Sequence, residues 1–411
     1  MQSALATILS TFGVDRKFWA QLLGCSDRQL NDWWLGRREL PHSVAETLSE
    51  AIGVSVALLR QSKEPVKPEA ILPPLWLKAR QSGVDEAGHR AIASARFLAA
   101  RYEEVLSLIE PSSVSPRLLV NEIKTVVDPQ RPARGQGAQA AHAFLALTTL
   151  GKGAFGIGEV IRGFLRARGV LILETPIDNA HLEGFCVPVG REASVRPCIV
   201  ANSYRTTWFR RNYVILHEFA HAVFDLDAAN GVFDLSGSGR DEIAEQRADS
   251  FALHVLVPQR LLLATLQRHR MRLKDLDEIG MAELISTTHA EQGLLIKAAQ
   301  EYGLVSDADA ERLARLRVAR ELRAKSNHAR GLAGLSKEAL IYPEVLNWGP
   351  RLTSFPLDGL RLPIPFVRLV LQALESGKIN SGKAAELLMA DDDQLARYGV
   401  DRQTSEEALV S

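Results

Sequence analysis

The stretch RRNYVILHEFAHAVF, residues 210–224, decides how the chain is read. Val214, Ile215, Leu216, Phe219, Ala220, Ala222 and Val223 surround HEFAH with apolar side chains, so the pattern predicts a buried helix rather than a solvated one. Positions four apart share a helical face, which lets His217 and His221 bind one cation. Glu218 stands beside the first histidine, where it can take a proton from water that the cation has acidified. Burying these polar side chains without partners would cost several kcal/mol, and a bound ion removes that cost. Zinc is the expected metal, and manganese is compatible with the same donors.

A catalytic site of this kind needs a third protein ligand and an open position. The next predicted helix, EIAEQRADSFALHVLV, stops at Pro258 and offers Glu245 as that ligand. Asp249 lies one turn on, where it would accept the remaining ring N–H of His217. The Gly and His of the longer three-histidine motif do not follow His221. His254 reads as a packing residue outside the chemistry.

Working back from the helix, VLILE (170–174), GFCVPV (184–189) and CIVAN (198–202) read as three strands. AQAAHAFLALTTL and GEVIRGFLRARG precede them as helices, the second ending at Gly169, and VVDPQRPARGQGAQ reads as a loop. GKGAFG (151–156) matches a dinucleotide-binding pattern, but a helical segment rather than a strand precedes it, which argues against that use. Cys186 and Cys198 sit in apolar strands as small core residues. The pairs Arg210/Arg211 and Arg37/Arg38 are read as solvated faces.

The order RARGV, LEGFCV, CIVANS, RRNYVILHEFAHAVF and EQRADSFALHVLVP, from about residue 140 to 260, resembles the ImmA/IrrE family of metallopeptidases. The resemblance implies a zincin-like fold with His217, His221 and Glu245 as ligands and Glu218 as catalytic acid/base. It also implies a protein substrate, a transcriptional repressor above all, and a link to stress responses. Such folds set an edge strand beside the cleft to pair with extended substrate, and either CIVAN or GFCVPV is the expected strand. PIPFVRLVLQALESGKINSGKAAELL (363–388) resembles extensions of longer members and is assigned no chemistry.

Near the N-terminus, FWAQLLGCSDRQLNDWWLGRRELP resembles a helix-turn-helix of the Xre/Cro type. The first helix runs over about 16–23, Gly24 makes the turn, and Ser26 with Gln29 makes a capping box for the second. Leu30 and Trp33 are the expected buried positions, Gly36 closes the helix, and Ser43 with Glu46 suggests another capping box. The resemblance would send the second helix into the major groove, with Arg28, Gln29 and Asn31 at base edges and Arg37 at a phosphate. Charge does not reinforce that reading. Arg16, Lys17, Arg28, Arg37, Arg38 and Arg60 are matched by Asp15, Asp27, Asp32, Glu39, Glu46 and Glu50. The alternative is a protein-binding module for a partner repressor or a second copy of the chain.

The whole sequence of 411 residues carries 49 basic and 49 acidic side chains, so no global field drives it onto nucleic acid or membrane. Its three scattered cysteines and the lack of a leader or a long apolar run suggest a cytoplasmic protein without a membrane partner. Prolines at 65, 68, 73 and 74 mark a linker. The expected division is a helix-turn-helix domain at 1–62, a linker and helical region at 63–136, a zincin-like peptidase domain at 137–265 and a helical C-terminal extension at 266–411. The fold class is mainly α with a small β-sheet, an α+β arrangement. The leading functional reading is a zinc endopeptidase joined to a transcriptional regulator, with homodimers common for such DNA-binding modules. The rival is a non-catalytic DNA-binding regulator or antitoxin-like protein with a structural or sensory metal. Glu218 argues against it, since a structural site needs no carboxylate beside its first ligand.

Overall fold

The computed structural model describes residues 4–60, 76, 83–109, 116–148, 158–175, 177, 182–189, 196–202, 208–225, 242–288, 290–318 and 364–388. It is predominantly helical, with one three-stranded sheet. The GKGAFG stretch lies outside the described residues.

Five short helices begin the chain: α1 (Ala4–Thr11), α2 (Arg16–Leu22), α3 (Asp27–Trp34), α4 (His42–Ile52) and α5 (Val56–Arg60). Asp15 caps α2 by accepting from the Phe18 N–H. Gly24 turns the chain with φ 61°, a backbone state that costs glycine little. Ser26 and Gln29 form the expected reciprocal capping box on α3, and Leu30 and Trp33 are buried. The second expected box does not form. Pro41 stands at the N-cap of α4 with its φ fixed at −58°, so Ser43 and Glu46 fall inside the helix.

The long helix α6 (Glu86–Ile109) packs against α4 and against the C-terminal pair α16 (Ile364–Glu375) and α17 (Ser381–Leu388). Arg101 joins the three: its guanidinium lies 3.8 Å from Glu50, 3.0 Å from Glu104 and 3.9 Å from Glu386. Trp76 is buried here, donating its indole N–H to the Ile52 carbonyl and packing edge-on against Phe12.

Helices α7 (Pro116–Lys124), α8 (Ala133–Leu147) and α9 (Gly158–Ala167) lead into strands β1 (Leu171–Thr175), β2 (Gly184–Val189) and β3 (Arg196–Asn202). The loop read through residue 139 is shorter than expected. Pro132 starts α8 at once, and Gly135 and Gly137 lie within that helix. Gly137 is there for packing: a Cβ on it would sit 2.3 Å from the Arg247 carbonyl oxygen of the crossing helix.

The sheet order is β1-β3-β2, with β1 parallel and β2 antiparallel to β3. CIVAN is therefore in the central strand, paired on both sides, and cannot serve as the substrate edge. GFCVPV is an edge strand among the described residues, and its Pro188 stands opposite Pro197. Alternation divides the side chains between two cores. Leu171, Leu173, Phe185, Val187, Cys198 and Val200 face the N-terminal helices, α6, α16 and α17. Ile172, Cys186, Ile199 and Ala201 face the other core, with α7 to α9 and the helices that follow β3.

Those helices are α10 (Trp208–Phe224), α11 (Glu242–Leu256), α12 (Gln259–Arg268), α13 (Glu278–Thr288), α14 (Gln292–Glu301) and α15 (Asp307–Ala314). The apolar residues around HEFAH are all buried, as the sequence pattern requires. Among the described residues no helix is long and apolar enough to cross a membrane.

Candidate metal centre and active site

Helix α10 lies beneath β2 and β3 and crosses α11. Gly184 allows the close approach to the strand. A Cβ there would stand 2.4 Å from a Val214 methyl and 2.7 Å from the Val200 carbonyl, and 3.5 Å from the Glu218 side chain. The edge strand thus begins directly over Glu218, which is fully buried.

His217, His221 and Glu245 converge, each offering one donor atom within 4.8 Å of the other two. The two Nε2 atoms are 3.2 Å apart. Glu245 places one oxygen 3.2 Å from His217 Nε2 and the other 3.6 Å from His221 Nε2. Tetrahedral zinc with bonds of about 2.0–2.1 Å sets its donors roughly 3.3 Å apart, close to these separations. The Glu245 oxygen facing His221 is buried with no hydrogen-bond donor, as a ligand oxygen would be. Burial opposes a charge on His217, but Asp249, Glu245 and Glu218 push its pKa up to about 10. The position holds positive charge strongly, as a cation site should.

Each imidazole is also held from behind. Asp249 lies 3.2 Å from His217 Nδ1, the position expected for it. Tyr213 and Lys297 both donate to that carboxylate; burial opposes its charge, but His217, Lys297 and Tyr213 together hold its pKa below the ordinary range. On the other ligand, His221 Nδ1 meets Asp225 at 2.8 Å, and Arg247 donates to the same carboxylate at 2.7 Å. The two rings are thus oriented by two carboxylates, each anchored by a cation. Sequence reasoning missed Asp225, Tyr213, Arg247 and Lys297. Asp225 was within reach, because it stands four residues after His221. Lys297 was not, since it arrives from α14.

The residues read as bystanders divide. Cys186 and Cys198 are buried, and burial pushes both thiols up. His254 lies away from the metal set, 3.1 Å from Glu301 and edge-on to Tyr302. Arg211 is not solvated, and Arg210 is half-buried. Arg211 is 1% exposed and lies 2.9 Å from Glu174 on β1, which also binds Arg162 in a bidentate pair. Arg210 pairs with Glu183 and covers the Tyr213 ring. Helix α10 turns both sides inward because it is wedged between the sheet and α11, which periodicity alone does not reveal.

On α3, Arg28 and Gln29 are exposed and Asn31 is half-buried. Gln29 spends its amide oxygen on the Ser26 cap, Asn31 accepts from Arg16, and Arg37 and Arg38 lie 3.9 and 3.8 Å from Asp32.

No curated protein and no solved structure matches the chain. Residues 165–313, the stretch that holds the converging histidines, Glu218 and Glu245, match the peptidase M78 model, described as an IrrE N-terminal-like domain.

Proposed function

We propose that the chain is a zinc-dependent endopeptidase with His217, His221 and Glu245 as ligands and Glu218 as general base and acid. The convergence of three donors from two helices, with a buried glutamate beside the first, carries this reading. Zinc bound there would acidify water and polarise the scissile carbonyl. Glu218 takes the proton of the attacking water and passes it to the leaving amine. Asp249 and Asp225 hold the imidazoles in the tautomer that leaves each Nε2 free to ligate. A substrate strand paired along β2 would bring its main chain over Glu218 at Gly184.

The substrate class we assign is a repressor-type transcription factor, with the N-terminal module positioning the enzyme on DNA or on that partner. The capped α3 with its buried Leu30 and Trp33 supports the helix-turn-helix reading. Its DNA contacts would come from Arg28, Gln29, Asn31 and Arg37. The engagement of Gln29, Asn31 and Arg37 within the module favours protein contact as the second use.

Glu218→Gln is the direct experiment. Proteins encoded beside this chain are incubated with wild type and variant and compared by mass spectrometry. The variant should keep its fold and metal and lose cleavage by at least about a thousandfold. Equal cleavage by both would leave the rival, a regulator with a non-catalytic metal.

A further inference from the structure

Helix α12 closes on a residue ill-suited to its backbone. Arg270 has φ 53°, and every other residue of positive φ among the described residues is a glycine. The Met271 N–H donates to the Leu266 carbonyl at 2.8 Å, and the Arg270 N–H to that of Gln267 at 3.1 Å. These bonds put Arg270 just past the helix cap, where glycine is the usual residue because a Cβ is strained there. Leu266 is buried and Met271 packs against the same core, so the turn closes without help from the arginine side chain. Backbone strain that no local contact explains is characteristic of functional positions.

Arg270 belongs to a basic run. The stretch RHRMRLK, residues 268–274, holds Arg268, Arg270, Arg272 and Lys274 with no acid among them, and all four are exposed. Arg272 reaches Asp275 at 3.4 Å, and Lys274 acts on Asp309, which is bonded to Ser306 at the start of α15. Among the described residues no ion pair joins Arg268, Arg270 or Lys274 to an acid. The acids that follow are engaged by main chain: Asp277 accepts from Gly280 in α13, and Glu278 from the Arg317 N–H at 3.4 Å. Arg312 of α15 donates to the Lys274 and Leu276 carbonyls and so fixes the stretch from its inner side. The helix dipole favours a cation in the last turn of α12, which accounts for Arg268 but not for the three that follow.

We infer that the end of α12, from Arg268 to Lys274, is a docking surface for the phosphate backbone of duplex DNA. Guanidinium forks pair bidentately with phosphate, and three of the four cations are arginines. The N-terminal module sets six cations against six acids, so it contributes little of the phosphate attraction on which DNA affinity rests. The α12 surface provides that attraction without reading sequence. It lies outside the metal centre and does not depend on the peptidase reading.

The test uses the full chain and two duplexes of unrelated sequence, followed by fluorescence anisotropy at neutral pH over a range of sodium chloride. Wild type should bind both duplexes, with log affinity falling linearly against log salt. Arg268→Gln, Arg270→Gln and Lys274→Gln together should weaken both complexes at least about tenfold at about 0.1 M salt and flatten that slope by about 2.7, the share of three phosphate contacts. Arg270→Gly should melt at or above wild type, because it relieves the backbone, and should still flatten the slope by about 1. A role in the helix end alone would leave the slope unmoved. No binding by wild type at low salt overturns the surface, and so does an unchanged slope in the triple variant. Tighter binding of wild type to polyglutamate than to either duplex overturns it in favour of an acidic protein partner. If the triple variant fails to fold, Arg270→Gly decides, and an unchanged slope there overturns the proposal.

Discussion

The two faces of one small sheet treat their buried arginines differently. On the metal side, Arg162 and Arg211 both close on Glu174, and Asn212 accepts from Arg162 as well. On the other side, Arg196 on β3 lies 2.7 Å from Glu103 on α6, one guanidinium to one carboxylate. The first arrangement fixes α9 and α10 to β1 and reads as structure. The second ties α6 to β3 through a single ion pair. The number of groups sharing each carboxylate, rather than the presence of buried charge, separates the two.

That contrast can be broken on the metal side first. Glu245→Ala should cut zinc affinity by at least about a hundredfold, measured by elemental analysis after dialysis. Unchanged metal content would remove Glu245 from the site. Next, Glu174→Gln leaves two guanidiniums buried without their carboxylate and should cost about 3–5 kcal/mol in denaturant unfolding. Burial would raise the Glu174 pKa, but Arg162 and Arg211 hold it below the ordinary value of 4.5. Its contribution is therefore full above that value and is lost as pH falls through the depressed one. The gap between wild type and Glu174→Gln should stay constant at neutral pH and narrow only in acid. A constant gap down to strong acid would show that the network is not ionic.

Smaller effects sharpen the picture of how the ligands are held. Asp225→Asn keeps the shape beside His221 but weakens the charge, and should lower metal affinity about 10–100-fold with little change in melting. An equal loss of stability without loss of metal would make Asp225 a packing residue. Smallest is Ser26→Ala in the N-terminal module, which removes the α3 cap and should cost about 1 kcal/mol. Unaltered stability there would mean that packing of Leu30 and Trp33 alone sets α3.

The sequence revealed what local periodicity can encode. HEFAH within an apolar run specified the helix, and EQRAD set Glu245 and Asp249 one turn apart on the next one. The strands were legible from their alternation with polar segments, and β2 begins and ends where its pattern does. Strand order was not legible, because which strand lies in the middle depends on crossover connections rather than on any strand's own residues. Residues whose partners are distant in the chain stayed hidden for the same reason. Arg211 looked solvated because Glu174 lies 37 positions away (211 − 174), and Lys297 belongs to Asp249 only once α14 has docked.

The prolines that face each other across β2 and β3 have a consequence for solubility. The hydrogen bond from Asn202 to Glu183 sets the alternation, and it turns the main-chain groups of Pro188 towards the outer margin of β2. Proline has no N–H to give, so a ladder begun by a neighbouring molecule at the Gly184 end loses a rung before it reaches the end of the strand. The margin is thereby made a poor template for chain-to-chain growth, and aggregation is discouraged without any charged side chain on that strand.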